Sequence, residues 1–135
     1  MIDHTGLIVN NFTKSKAWYR AALKPIGYDV LMEFNKSMPN MTTDVAGFGE
    51  QKICKPDFWI MGATSSKAVN NPPLHIAFRA QNREQVDQFY ASAIATGGTD
   101  NGKPGLRAHY HPDYYSAFVF DLDGHNIEVV CHDKP

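Results

Sequence analysis

Cysteine is scarce in this chain, long apolar runs are missing, and neither sign of charge dominates. The two cysteines, Cys54 and Cys131, show no CxxC spacing. They read as free thiols of a reducing compartment rather than a disulfide. No segment approaches the roughly 20 apolar residues that a membrane span needs. Thirteen basic and 14 acidic residues leave a formal net charge of −1. That balance gives no electrostatic footprint for nucleic acid or for an anionic membrane. The opening MIDHTGLIV has no basic n-region and no cleavage signature, so a cytoplasmic location is expected.

What is present is a repeat. With an offset of 71 residues, His4 falls on His75, Gly6 on Ala77 and Trp18 on Phe89. Tyr19 then falls on Tyr90, Ala22 on Ala93, Leu23 on Ile94 and Gly27 on Gly98. The 135 residues, 43% hydrophobic and 20% charged, suit one globular domain. Two copies of one supersecondary unit therefore share that domain, and each starts with a histidine at the same point.

Local signals agree. Residues 2–9 alternate as a strand, and Asn10, Asn11 or Thr13 can cap a helix over about 13–24 with Trp18, Ala21, Ala22 and Leu23 inward. Pro25 and Gly27 end it. Strands are expected at 28–34, 44–49 and 57–62, and a linker at 63–73. The second half repeats the order with a strand at 74–80, a helix capped by Asn82 with Gln85 in the capping-box position, and strands at 114–121 and 126–130. The GGTDNGKPG stretch between helix and strand reads as a loop. Module 1 is about 1–62 and module 2 about 74–135.

In each opening strand the apolar series, Leu7/Val9 and Leu74/Ile76/Phe78, should meet a helix. His4 and His75 then point to the opposite face, beside the small Gly6 and Ala77. In the last strand Ile127 and Val129 alternate with Glu128, which joins the histidines' face. Two imidazoles and one carboxylate form a facial ligand set that leaves positions open for substrate and suits divalent iron, manganese, zinc or nickel. A single strand histidine is usually structural; two at equivalent repeat positions, with an inward Glu, shift that balance.

The opening DHTGLIVNN, the helix with WY, the strand LHIAF and the closing DLDGHNIEVV resemble the vicinal oxygen chelate superfamily of glyoxalases, bleomycin-resistance proteins and extradiol dioxygenases. The resemblance covers nearly the whole chain. It implies an α+β fold of two tandem βαβββ modules forming a curved mixed sheet around a cavity. It also implies metal ligands at His4, His75 and Glu128. Glyoxalase I enzymes carry a further carboxylate on the last strand of module 1. Here the repeat offset lands on Asp57, whereas comparison with the family lands on Trp59.

Proton-handling and substrate-binding candidates lie in RAHYHPDYY: Arg107, whose planar fork can hold a carboxylate, His109, and Tyr115. Tyr114 and Tyr115 alternate, so one should face the cavity and the other the core. Met32, Phe34, Phe48, Trp59 and Met61 either line an apolar pocket or fill the core. The expected function is divalent-metal-dependent chemistry on a small oxygenated metabolite, by bidentate chelation and oxyanion or enolate stabilisation. The alternatives are metal-free sequestration of a small planar compound, as in bleomycin-resistance proteins, and a regulatory dimer with a vestigial pocket. A homodimer is implied by the resemblance. Whether the modules pair within a chain or across two chains stays open.

Overall fold

A computed structural model describes residues 1–65 and 70–135. The central part of the expected 63–73 linker lies outside them. The chain runs β1 (Thr5–Val9), α1 (Phe12–Leu23), a 3-10 turn (Lys24–Ile26), β2 (Tyr28–Phe34), β3 (Val45–Glu50) and β4 (Phe58–Gly62). The second module repeats this with β5 (His75–Arg79), α2 (Arg83–Ala95), β6 (Thr99–Leu106), β7 (Tyr115–Phe120) and β8 (Asn126–Cys131). The sheet orders are β1-β4-β3-β2 and β5-β8-β7-β6. β1 pairs with β4, and β5 with β8, in parallel; the remaining pairs are antiparallel. These are two βαβββ modules of an α+β fold.

Both helices start where a side chain relieves an orphan N–H. Asn11 accepts from Lys14 N, and Asn82 from Gln85 N. The Gln85 side chain reaches back one residue further than a capping box predicts, to Gln81 N (2.8 Å). On α1, Tyr19 rather than Ala21 completes the buried stripe with Ser15, Trp18, Ala22 and Leu23. Gly27 ends the 3-10 turn in the left-handed region (φ 85°), where Cβ would be strained. Its repeat partner Gly98 serves closeness instead: a Cβ there would lie 2.6 Å from Val119 Cγ1 and 2.8 Å from the Ala93 carbonyl.

The segment expected as a loop over GGTDNGKPG forms most of β6. It is an edge strand, and its register on β7 shifts between Asp100 and Gly102 and again before Gly105. Pro104 falls in the second of these shifts, without a register partner on β7, a place where an edge strand tolerates proline. Composition therefore misleads at this one element.

The inner faces share one core. Leu7, Val9, Phe48, Phe58 and Ile60 of one sheet and Phe78, Val119, Ile127 and Val129 of the other pack with Trp18, Tyr19 and Phe89 of the helices. Phe58 and Phe78 meet edge to face at 5.2 Å across the two sheets. The modules are also stitched by polar groups. Trp18 Nε1 donates to the Ala93 carbonyl (3.0 Å), and the Tyr19 hydroxyl donates to Asp121 (2.5 Å). Each sheet turns its other face outward. Within one chain, the two sheets do not join into a single surface.

Candidate metal centre

On the outward face of module 2, Ala77, Glu128, Phe118 and Gly102 stand in one row across β5, β8, β7 and β6. Glu128 is only 3% exposed. Burial of a carboxylate is costly unless each oxygen is satisfied. Here the Tyr114 hydroxyl donates to Oε1 (2.6 Å), and His75 Nε2 lies 3.1 Å from Oε2. The other His75 nitrogen, Nδ1, is 3.1 Å from the Asn126 carbonyl. A carbonyl only accepts, so Nδ1 carries hydrogen in this arrangement. Nε2 of a neutral ring then turns a lone pair toward the carboxylate's own lone pairs. Such a pair holds together only around a proton or a cation. A ring oriented by a backbone carbonyl through its other nitrogen is also the usual setting of a metal-binding histidine. The donor set fits a divalent ion.

Module 1 carries the matching row. Gly6 pairs with Trp59, and Trp59 with Gly47, as Ala77 pairs with Glu128 and Glu128 with Phe118. Trp59 is thus the counterpart of Glu128. The offset of 71 holds from Gly47 to Phe118 but drops to 69 between Trp59 and Glu128. The longer β3–β4 connection accounts for that difference. Asp57 is engaged elsewhere, accepting from the Tyr28 hydroxyl (2.9 Å). The fourth carboxylate position is filled by an indole. Its ring lies over Gly47, where a Cβ would come within 2.7 Å of it, and it stacks with Phe34 at 6.3 Å.

His4, Gly6, Val45, Trp59 and Met61 line an apolar cavity of about 390 Å³ on this face. His4 is exposed, with Nδ1 2.8 Å from Asp3. The hydrogen bond to His4, together with Lys55, holds the Asp3 carboxyl below its ordinary range. Of the apolar residues expected here, Trp59 and Met61 line the cavity, while Phe48 is fully buried in the core. Among the described residues no three His, Cys, Asp or Glu side chains converge within one chain. The structure brings His75 and Glu128 together, and leaves His4 just ahead of β1 in the other module.

A family model for the glyoxalase/bleomycin resistance protein/dioxygenase superfamily matches residues 1–129. The chain belongs to that superfamily. A glyoxalase/bleomycin resistance protein from Albidiferax ferrireducens is 26% identical, with 98% of each chain covered and a TM-score of 0.66. A superfamily domain from Frankia is 16% identical over 99% of this chain and 93% of the other, with a TM-score of 0.73. A mutant of the fosfomycin resistance protein FosX from Listeria monocytogenes, complexed with Mn(II) and 1S,2S-dihydroxypropylphosphonic acid, is 20% identical over 96% and 90%, with a TM-score of 0.65. No curated protein matches the sequence.

The rim of this superfamily member differs in detail from the sequence expectation. Tyr115 does not face the outward surface. Its hydroxyl donates to Asp87 on α2 (2.7 Å), and Arg83 lies over its ring. Tyr114 takes the outward position. Partial burial, then the bond to Glu128, push its phenol up to about 12. The alternation carried this signal, since Tyr114 shares parity with Phe118, the register partner of Glu128. His109 sits on an exposed turn with its ring 4.1 Å from Tyr110, which in turn packs on Tyr114 at 5.2 Å. It is two rings removed from Glu128. Arg107 lies on the outward face with its guanidinium over Phe118. The DLDGH turn, which most resembles the family, is a structural knot. Asp121 accepts from Asp123 N and His125 N (2.9 and 2.8 Å), and buried His125 accepts from Leu74 N (3.0 Å) and approaches the Ile8 carbonyl (3.3 Å).

Proposed function

We propose that this protein is a divalent-metal-dependent enzyme acting on a small oxygenated metabolite, with His75 and Glu128 of one chain and His4 of a second chain as ligands. The observation that carries the reading is His75 Nε2 poised 3.1 Å from a buried Glu128 oxygen while its Nδ1 is committed to a backbone carbonyl. Outward faces that lie on different sheets support a homodimer, because only a second copy can set a His4 face against a His75 face. When bound, the ion supplies Lewis-acid polarisation of two neighbouring substrate oxygens and stabilises charge developing on them.

The chain's own residues do the rest. Tyr114 keeps its proton at neutral pH and holds the Glu128 carboxylate at a fixed angle through Oε1. It is also the phenol best placed to give a proton to an oxygen bound beside Glu128. Trp59, Phe34 and Met61 present apolar surface that excludes water from one side. The indole in place of a fourth carboxylate leaves a three-ligand set, which argues against a four-ligand glyoxalase I site. Free Cys54 and Cys131 fit the reducing cytoplasm.

The test is metal content of untagged protein, wild type beside Glu128→Ala. About one divalent ion per chain, lost in the variant, supports the reading. No uptake of iron, manganese, nickel or zinc by the wild type would sink it. The stacked Phe34–Trp59 pair favours a second reading, metal-free sequestration of a planar compound. Ligand-dependent quenching of tryptophan emission in metal-free protein is its signature.

A further inference from the structure

The outward face of module 2 holds a cation that the metal centre does not use. Arg107 is half-buried, and its guanidinium carbon lies 5.6 Å from the centre of the Phe118 ring. Its Nη2 donates to the Lys103 carbonyl (2.7 Å). Among the described residues it forms no ion pair. The other face of the site leans on the same platform, for the His75 ring stacks with Phe118 at 6.3 Å. Two glycines on β6 make room for this placement. A Cβ on Gly102 would lie 2.9 Å from Phe118 and 3.3 Å from Arg107 Nη2, and one on Gly105 would lie 3.2 Å from Nη1. The fork is therefore laid back in a side-chain-free trough, braced by a carbonyl on one edge and a ring beneath, with donors left over.

We infer that Arg107 selects substrates by a distal anionic group, a carboxylate or a phosphate, carried a few atoms from the oxygens that sit at His75 and Glu128. This rests on the metal-site reading above and names its substrate class. The guanidinium lies between Phe118, one strand from Glu128, and Gly102, two strands away, so one to two strand spacings, about 5–10 Å, separate it from the Glu128 position. An anion in front of the guanidinium takes up about 3 Å of that. The remainder matches a substrate of three or four carbons with a chelating head at one end and an anion at the other. A guanidinium already held by ring and carbonyl loses little freedom when it binds, which favours recognition by a planar fork. Arg107 is thus a specificity-determining residue rather than a proton carrier.

Three α-hydroxy acids test this. Malate, glycerate phosphorylated on its terminal carbon, and α-hydroxybutyrate share one chelating head and differ in the distal group: carboxylate, phosphate or methyl. Each is titrated calorimetrically into manganese-loaded protein, wild type and Arg107→Gln, with manganese content measured on the same samples. The expected result is that one or both distal anions bind about tenfold tighter than α-hydroxybutyrate to the wild type. The gap closes in Arg107→Gln at unchanged manganese content, and Arg107→Lys restores only part of it. A larger gain for malate assigns a carboxylate, and a larger gain for the phosphorylated acid assigns a phosphate. No gap in the wild type, or a gap that survives Arg107→Gln, overturns the inference. If the protein takes up none of manganese, iron, nickel or zinc, the metal reading fails separately. Inorganic phosphate, followed by phosphorus NMR on metal-free protein, then decides Arg107 alone: binding lost in Arg107→Gln sustains it, and no binding to wild type overturns it.

Discussion

At the scale of single residues, the proposed chemistry rests on Glu128 and Tyr114. A buried carboxylate needs partners on both oxygens, and the Tyr114 hydroxyl at 2.6 Å is one of them. Removing that hydroxyl frees Oε1 to rotate away from the geometry a metal requires. Tyr114→Phe is therefore expected to weaken divalent-ion affinity by about 10- to 100-fold, the usual cost of losing an outer partner of a ligand; metal titration checks it. The same residue makes a titration prediction. Burial and Glu128 push the Tyr114 phenol up to about 12, so tyrosinate absorbance of metal-free wild type minus Tyr114→Phe should rise near that pH. A pKa raised in the folded state contributes stability that is fully present below the ordinary tyrosine value and is lost as pH climbs through about 12. A difference step near the ordinary value would show that the Tyr114–Glu128 bond does not persist in solution.

Elements decide which residues can meet. The β3–β4 connection is longer than the β7–β8 turn, and that difference moves Trp59 into the Glu128 position and Asp57 out of it. The repeat was legible in the chain, but a change in hairpin length between two modules is not, because sequence periodicity carries no register across a loop. β6 was illegible for another reason. Its Gly and Pro content reads as a loop, yet an edge strand with shifted register accommodates both. Helix-to-strand closeness gives a stability prediction here. A methyl at Gly98 would collide with Val119 and with the backbone of Ala93. Gly98→Ala should cost about 1–3 kcal/mol, the usual cost of overpacking. Gly124, with φ 87° and nothing within 4 Å of its Cβ position, should lose only about 1 kcal/mol on substitution by alanine, from backbone strain. Urea midpoints of the two variants compare them directly, and equal losses would count against the packing described between α2 and β7.

The arrangement of the whole molecule separates His4 from its expected co-ligands, and under the proposed reading a second chain supplies it. Complementation tests it. His4→Ala and Glu128→Ala each lack one ligand in every site of a homodimer. Unfolded together and refolded as a mixture, a shared-site dimer recovers about a quarter of the wild-type metal sites by random pairing. A site closed within one chain recovers none. The sequence by itself determined the repeat, the Asn82 cap, most of the inward stripes and the parity that sets His75 and Glu128 on one face, because each of these follows from local periodicity and capping chemistry. Only the tertiary structure decided that Trp59 stands at the position matching Glu128 and that Arg107 rests on Phe118, and it resolved which of the two alternating tyrosines meets Glu128. It also decided that the two histidine faces turn away from one shared core. Those outcomes depend on strand register and on how two amphipathic sheets bury their apolar sides together, and neither is encoded within any one segment.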